Sequence, residues 1–172
     1  VQRFGYGYVQ GADAAAADLG VEIYFNGPAS ETEIDAQVNM VKSEMAKNPK
    51  ALALAALSTD AVKEILEECK NELRAQGTAI GFDSGVPDDT SGAVKATAAT
   101  SNEAAAAIAA EKFGEHADLV AKMQAATSDA PVVIGCVSQD AVSASIVGRT
   151  TGFVDKMVEI AEQYQPGKVA VE

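Results

Sequence analysis

Residues 51–66 read ALALAALSTDAVKEIL, and this stretch decides the fold class. Its first part, from Ala51 to Leu57, is wholly apolar, which is typical of a strand covered on both faces of a parallel sheet. Ser58-Thr59-Asp60 then supplies residues that favour a helix N-terminus, and an apolar stripe follows at helical spacing, formed by Val62, Ile65, Leu66, Cys69 and Leu73. A buried strand that leads directly into an amphipathic helix is the repeating unit of α/β folds.

The same unit recurs on both sides of this stretch. Upstream, a strand is predicted from Val21 to Phe25, followed by a helix whose start carries a capping box of Ser30 and Glu33. Further apolar runs and stripes predict strands over 78–82, 93–97, 131–137 and 168–171, with helices over 102–113, around Leu119 and Met123, and from Ile146 to Tyr164. This alternation predicts a parallel sheet with flanking helices. We expect a first α/β lobe over residues 1–128 and the start of a second lobe over 129–172.

Composition excludes several classes of partner. The chain has 172 residues and a formal net charge of -12, with no cluster of Lys and Arg, which argues against nucleic acid and anionic membrane surfaces as partners. No apolar run approaches the length of a membrane span. The chain starts at Val1 without Met, which is compatible with a signal peptide that has been removed. Cys69 and Cys136 read as small core hydrophobes, and neither a disulfide nor a metal site with His116 is expected.

The glycine-rich segment from Gly5 to Gly11 raises the question of a nucleotide-binding loop. Such a loop needs a buried strand before it and an acidic residue at the tip of the next strand. Val1 to Phe4 is too short and polar for that strand, and the strand over 21–25 ends in Asn26-Gly27-Pro28. We therefore expect no nucleotide cofactor, and the loop needs another explanation.

Candidate binding residues follow from the positions at which the strands end, since ligands of open parallel sheets bind outside the carboxyl ends of the strands. The groups there are hydroxyls, amides and carboxylates, contributed by Ser58, Asp60, Asp83, Ser84 and Gln139. The segment that enters the first helix adds Gln2 and the aromatic ring of Phe4. Such groups suit a neutral polyol better than a phosphate. No nucleophile has a partnered base, so an enzyme is not expected.

Other interpretations of these residues stay open. Ser58 and Asp60 are adequate helix caps whether or not they contact a ligand. Asp83 has no such role, and a carboxylate that points into a cleft is the better interpretation. Arg149 reads either as a surface residue in an ion pair or as a ligand contact. The acidic pair Asp88-Asp89 is interpreted as solvated surface.

Several segments together resemble the sugar-binding type I periplasmic binding proteins, which are related to ribose- and galactose-binding proteins. The matching segments span the chain and comprise Gly11–Glu22, Asn26–Val41, Leu57–Ala61, Ile80–Val86 and Ser143–Phe153. The resemblance implies two α/β lobes joined by a hinge, with a monosaccharide or similar polyol closed between them. It further implies a receptor that is a monomer when full length, that delivers its sugar to an ABC permease in the membrane, and that works in the periplasm or outside the cell, free or anchored by a lipid.

The resemblance also implies roles for individual residues. Gln2-Arg3-Phe4-Gly5 looks like the family's Asn-Pro-Phe-Phe segment, so that Phe4 would lie on the sugar ring, whereas Gly5 departs from the second aromatic residue. Asp83 matches a carboxylate that takes two sugar hydroxyls. Ser84 stands where ribose binders carry Arg, and Arg149 matches an Arg of the second lobe.

By the same resemblance, the first strand of the sheet would precede Val1 and lie between the strands over 21–25 and 51–57, and the second lobe would continue beyond Glu172. The chain is therefore expected to be a fragment. Two other functions compete with the solute receptor: the effector domain of a lactose-repressor-type regulator, which shares the fold, and a small α/β enzyme.

Overall fold

A computed structural model of the chain describes residues 3–68, 70–71, 78–87 and 89–172, with side chains from Gly7 onward. Its strands all pair in parallel and are flanked by helices, which confirms the predicted fold class. The chain divides into two compact units, Val1–Asn48 and Pro49–Glu172, and each is described by itself.

The first unit contains helices α1 (Arg3–Leu19) and α2 (Ile34–Met45). The glycine-rich segment is part of α1, so the expectation of a loop there is wrong. The run of four alanines from Ala14 to Ala17 has high helix propensity and favours extension of the helix through the segment. Gly20, whose φ is +66°, ends α1 in the left-handed conformation that glycine adopts without strain.

Helix α2 forms where the sequence predicts a helix, but the predicted capping box does not form. Val41 and Met45 on its apolar face are buried. The helix begins after Glu33, which makes no side-chain capping bond. The Ser30 Oγ instead accepts the N–H of Thr32 at 3.3 Å, and the Glu33 carboxylate accepts the N–H of Ala29, also at 3.3 Å. These local bonds form a turn before the helix, which is a common alternative use of Ser near a helix start.

The strand predicted from Val21 to Phe25 is absent, and this expectation is wrong. The segment has no regular structure, and its side chains lie open to solvent, with Tyr24 82% exposed. A strand exists only where a second strand accepts and donates its backbone hydrogen bonds. Within the described residues of this unit the other regular elements are helices, so the segment has no strand to pair with there.

The second unit begins with a three-stranded parallel sheet in the order β1 (Ala51–Leu54), β2 (Thr78–Phe82) and β3 (Val94–Ala98). Strand β1 is shorter than predicted and is not covered on both faces, because Leu54 is buried while Ala51 and Ala53 are exposed. Helix α3 (Thr59–Glu68) follows it and buries Val62, Ile65 and Leu66, as the stripe predicts. Cys69 and Leu73 lie outside the described residues.

A two-stranded parallel sheet, β4 (Val132–Ile134) and β5 (Val169–Val171), forms the rest of the second unit together with three helices. The helices are α4 (Asn102–Gly114), α5 (Ala117–Ala125) and α6 (Ala144–Glu162). One core cluster joins them to the sheet through Ala110, Met123, Ile134, Met157 and Ala161. Because α4 and α5 share this core with β4, the packing favours a lobe boundary just before α4; the predicted boundary at residues 128 and 129 stays a prediction.

Helices α4 and α6 approach each other closely. A Cβ atom built on Gly152 of α6 would lie 2.3 Å from the carbonyl oxygen of Glu103 in α4, so only glycine fits at this crossing. Lys156 of α6 forms an ion pair with Glu111 of α4, with the Nζ atom 3.4 Å from the carboxylate. The hydrogen bonds of Lys156 to Glu159, and further to Glu111, raise the pKa of its ammonium group, so Lys156 stays charged at neutral pH.

Candidate functional site

The segments that follow the three strands of the first sheet meet at its carboxyl edge. The N–H of Ala56, after β1, donates to the carbonyl oxygen of Ser84, after β2, at 2.9 Å. The N–H of Asp83 donates to the carbonyl oxygen of Ala98, the last residue of β3, at 3.0 Å. Ser58 and Asp83 therefore both lie at the carboxyl edge of this sheet, where the sequence predicts them.

The segment that follows β4 of the other sheet reaches the same place. The N–H of Thr59 donates to the carbonyl oxygen of Val142 at 3.2 Å. The hydroxyl groups of Ser84 and Ser143 share a hydrogen bond of 3.2 Å, and the N–H of Ser145 donates to the Ser84 Oγ at 3.4 Å. We call Thr59, Ser84, Val142, Ser143 and Ser145 the carboxyl-edge junction, because they join the carboxyl edges of the two sheets.

Asp83 occupies an unusual backbone conformation at this edge. Its φ is +58°, in the left-handed region that non-glycine residues adopt rarely and Asp and Asn more readily than most. The chain turns so tightly there that Phe82 and Ser84 form an isolated antiparallel bridge. The Asp83 side chain is exposed. Residues held in such conformations are concentrated at binding sites and active sites.

Ser58 and Asp60 lie at the start of α3, where the capping interpretation of the sequence places them. Ser58 is 7% exposed, and its Oγ accepts the N–H of Ala61 at 3.4 Å. Its carbonyl oxygen accepts the N–H of Val62 at 3.3 Å. The Asp60 side chain is 96% exposed and lies 3.6 Å from the Nζ atom of Lys63.

Ser84, Gln139 and Arg149 occupy three different settings. Ser84 is buried in the junction. Gln139 is exposed, and its Nε2 donates to the carboxylate of Asp140 at 3.4 Å. Arg149 is exposed on α6, and its Nε–H donates to the Oδ1 of Asn102 at 2.9 Å. The junction thus includes Ser84, whereas Arg149 bonds to the first residue of α4.

Two of the predicted binding residues, Gln2 and Phe4, belong to the N-terminal segment. Gln2 lies outside the described residues. The backbone of Phe4 belongs to the first turn of α1, and its side chain is outside the described set. The expected contact of an aromatic ring with a sugar therefore stays a prediction.

Three residues outside the predicted set of binding residues build this region. Ser143 and Ser145 enter the junction, and Asp140 positions the segment before them by accepting the N–H of Val142 at 3.0 Å and of Ser143 at 2.8 Å. A signal was present, because Asp140 stands three residues before Ser143 in a segment that opens a long helix. Asp in that position commonly bonds to backbone N–H groups ahead of it.

Asp89 also has a role that the sequence did not indicate, and its interpretation as solvated surface is wrong. Its carboxylate accepts the N–H and Oγ–H of Ser91 and the N–H of Val94, all within 3.0 Å, at the entrance to β3. Partial burial acts to raise the pKa of this carboxyl, but the hydrogen bonds from Ser91, Val94 and Ala93 outweigh burial and hold the pKa below its ordinary value. Asp88 lies outside the described residues.

The described ranges contain no group of three or more His, Cys, Asp or Glu side chains placed to hold a metal ion. In the same part of the chain, none of the helices combines the length and the hydropathy that crossing a membrane requires. Cys136 is a half-buried free thiol beside β4, and His116 is exposed at the start of α5.

Comparisons with known proteins agree with this architecture. No protein-family model matches the chain, and no curated protein does. Among solved structures, a protein from Brachyspira murdochii described as an "ABC transporter, LacI family transcriptional regulator" is 37% identical, with a TM-score of 0.80 over 99% of this chain and 52% of its own. An ABC transporter solute binding protein from Agrobacterium vitis with bound D-fucose is 27% identical, with a TM-score of 0.76 over the same shares, 99% and 52%.

A third structure, the periplasmic component of an ABC-type sugar transport system from Hahella chejuensis, matches in fold, with 21% identity and a TM-score of 0.73 over 99% of this chain and 54% of its own. The chain thus spans about half the length of the structures that it matches. Over nearly its whole length this chain is similar to ABC transporter proteins, one of them a solute-binding protein with bound D-fucose, which confirms the resemblance found in the sequence.

Proposed function

We propose that the protein carrying this chain is a non-catalytic receptor that captures a monosaccharide or similar polyol and delivers it to an ABC permease. The observation that supports this most directly is the meeting of strand ends around Asp83, a carboxylate in a left-handed conformation at the edge where parallel sheets bind their ligands. The likeness to a structure with bound D-fucose supports the class of ligand.

The ligand contacts belong to the same proposal. Asp83 would accept hydrogen bonds from two sugar hydroxyls, because an ionised carboxylate is an acceptor with two oxygens. Ser58, Asp60, Ser84 and Gln139 would add further polar contacts from the neighbouring strand ends. Arg149 would contribute from α6, and Gln2 and Phe4 stay in the proposed set through the resemblance found in the sequence.

The proposed cellular location follows from this function. A receptor that serves a permease works on the outer side of the membrane, so we place the protein in the periplasm or on the cell exterior, free or lipid-anchored and monomeric when full length. The fold that the chain shares with the periplasmic component of a sugar transport system is compatible with this location.

A test uses calorimetry of the intact protein against pentoses, hexoses, inositols and nucleosides, with two variants of Asp83. Both Asp83→Ala and Asp83→Gly remove the carboxylate, but glycine accepts a φ of +58° without strain and alanine does not. Hydrogen bonds to a charged group are worth about 1.5–3 kcal/mol each, so losing two should weaken binding at least about a hundredfold in both variants. A change below about fivefold in the glycine variant would remove Asp83 from the site.

The regulator alternative is kept because the Brachyspira protein's description also names a LacI-family transcriptional regulator. The net charge of -12 on this chain disfavours contact with DNA through its own surface. Sugar-dependent binding of the intact protein to duplex DNA would favour the regulator. Recovery of the sugar chemically unchanged after incubation would argue against an enzyme.

A further inference from the structure

The three serine residues of the carboxyl-edge junction are buried. Ser84 is 5% exposed, and Ser143 and Ser145 are each 9% exposed. Three hydroxyl groups that are this well buried would each be destabilising without hydrogen-bond partners. They satisfy one another, because Ser143 bonds to Ser84 at 3.2 Å and to Ser145 at 3.1 Å.

The hydrogen bond between Ser84 and Ser143 crosses from one sheet to the other at the start of α6. Ser143 precedes the helix as its N-cap residue, yet its side chain makes no capping bond to its own helix. A residue that follows β2 takes that role instead, since the Ser84 Oγ accepts the N–H of Ser145 in the first turn. Thr59, at the start of α3, adds two further bonds across the same gap, because its N–H and its hydroxyl both donate to the carbonyl oxygen of Val142, at 3.2 and 3.4 Å. Separating the two carboxyl edges would break all of these bonds at once and leave the start of α6 without this cap.

We propose that the carboxyl-edge junction is a latch that holds the two sheet edges together while no sugar is bound. The inference rests on the proposed function, because a sugar that enters between the edges must first break the latch. Each neutral hydrogen bond changes an equilibrium constant by about two- to twelvefold, so the latch keeps the open, binding-competent form a minor species. The apparent affinity for sugar is reduced by the fraction of protein that is open.

Hydrogen exchange of the intact protein without sugar tests the latch. The reporter is the Thr59 amide, whose bond to Val142 crosses the junction and involves no hydroxyl of the serine cluster. In Ser84→Ala, we expect its exchange to become about five- to tenfold faster, because the closed form leaves the Ser143 hydroxyl and the Ser145 N–H without Ser84. Ser143→Ala should act in the same direction and serves if the first variant does not fold.

Two controls separate opening of the latch from general loosening. The Met157 amide, in the middle of α6 and in the core, should exchange at an unchanged rate in both variants. Ser138→Ala removes a hydroxyl that bonds within its own loop, to the carbonyl oxygen of Asp140, and should leave the Thr59 amide unaffected. An unchanged Thr59 rate in Ser84→Ala, or an equal acceleration at Met157, would overturn the latch.

Calorimetry with D-fucose as the probe then keeps the two proposals apart. If the latch opposes entry, Ser143→Ala should bind D-fucose more tightly than the unmodified protein, by the same factor as its Thr59 amide exchanges faster. Weaker binding by this variant would contradict the latch. Failure of the unmodified protein to bind D-fucose or any sugar of the wider panel would reject the receptor function, while the exchange result without sugar would still decide whether the latch exists.

Discussion

Replacement of Gly152 by alanine tests the crossing of α4 and α6, on which the core of the second sheet depends. The added Cβ would lie 2.3 Å from the carbonyl oxygen of Glu103 and 2.7 Å from its Cα atom. Both are backbone atoms of a helix, so no side-chain rotation relieves the overlap, and the two helices must move apart.

The magnitude follows from two opposing effects. Alanine is favoured over glycine inside a helix by about 1 kcal/mol. Overpacking of a tight interface costs about 1–3 kcal/mol and sometimes more, and contact with backbone belongs at the upper end. We therefore expect Gly152→Ala to lower the free energy of unfolding by about 2 kcal/mol, despite the better helix propensity.

Gly148, one turn earlier in the same helix, provides a matched control. A Cβ there would lie 3.3 Å from the Cβ of Asn102, 3.6 Å from the Cγ of Glu103 and 3.9 Å from its backbone nitrogen, so an adjustment of a few tenths of an ångström accommodates it. Gly148→Ala should therefore keep most of the propensity gain and be neutral or stabilising by up to about 1 kcal/mol. Thermal unfolding should separate the two variants by roughly 4–12 °C for a chain of this size. Equal melting temperatures would refute the close crossing.

Two further predictions concern single side chains of the second unit. Asp89→Asn should lower the free energy of unfolding by about 1–2 kcal/mol near neutral pH. The substitution replaces a charged hydrogen-bond acceptor with a neutral one, and partial exposure of the site keeps the loss modest. The pKa of Asp89 in the folded protein lies below the unfolded value of about 3.9. The stabilisation is therefore present above that value and is lost as pH falls through the folded pKa, so the free energies of unfolding of the Asp89→Asn variant and the unmodified protein, measured in urea, should converge in acid. Met157→Ala should lower the free energy of unfolding by about 3 kcal/mol, because Met157 is 0% exposed. Val158→Ala, at a neighbouring residue that is 43% exposed, should change it little. Similar losses for both variants in urea unfolding would contradict the assigned core.

The regular elements of the second unit could be predicted from sequence because each carries its own periodic pattern. The stripe of Val62, Ile65 and Leu66 marks α3, and these residues are its buried face. The stripe that includes Met157 marks α6 in the same way. Such a pattern predicts the buried face of a helix from the spacing of apolar residues within one segment, so the segment that packs against it need not be known.

The features that could not be predicted from the sequence depend on a second segment of the chain. Val21 to Phe25 has the composition of a strand, but pairing requires a neighbour that composition does not reveal. Ser84 reads as a ligand residue beside a strand end, whereas its burial depends on Ser143 and Ser145, about sixty residues away in sequence. Asp83 could be placed at the sheet edge from sequence, but its positive φ could not, because a tight turn there depends on the bonds that its neighbours make.

The open segment from Val21 to Phe25 has a consequence for the chain in concentrated solution. Its five residues include one charge, and it combines β-branched and aromatic residues with no proline or glycine, which is the composition of segments that nucleate cross-β assembly. An exposed stretch of this kind is a template for strand pairing between copies unless something covers or charges it. The substitution Ile23→Asp would add a second negative charge beside Glu22 and would act as a gatekeeper, and it leaves the carboxyl-edge residues of the second unit untouched.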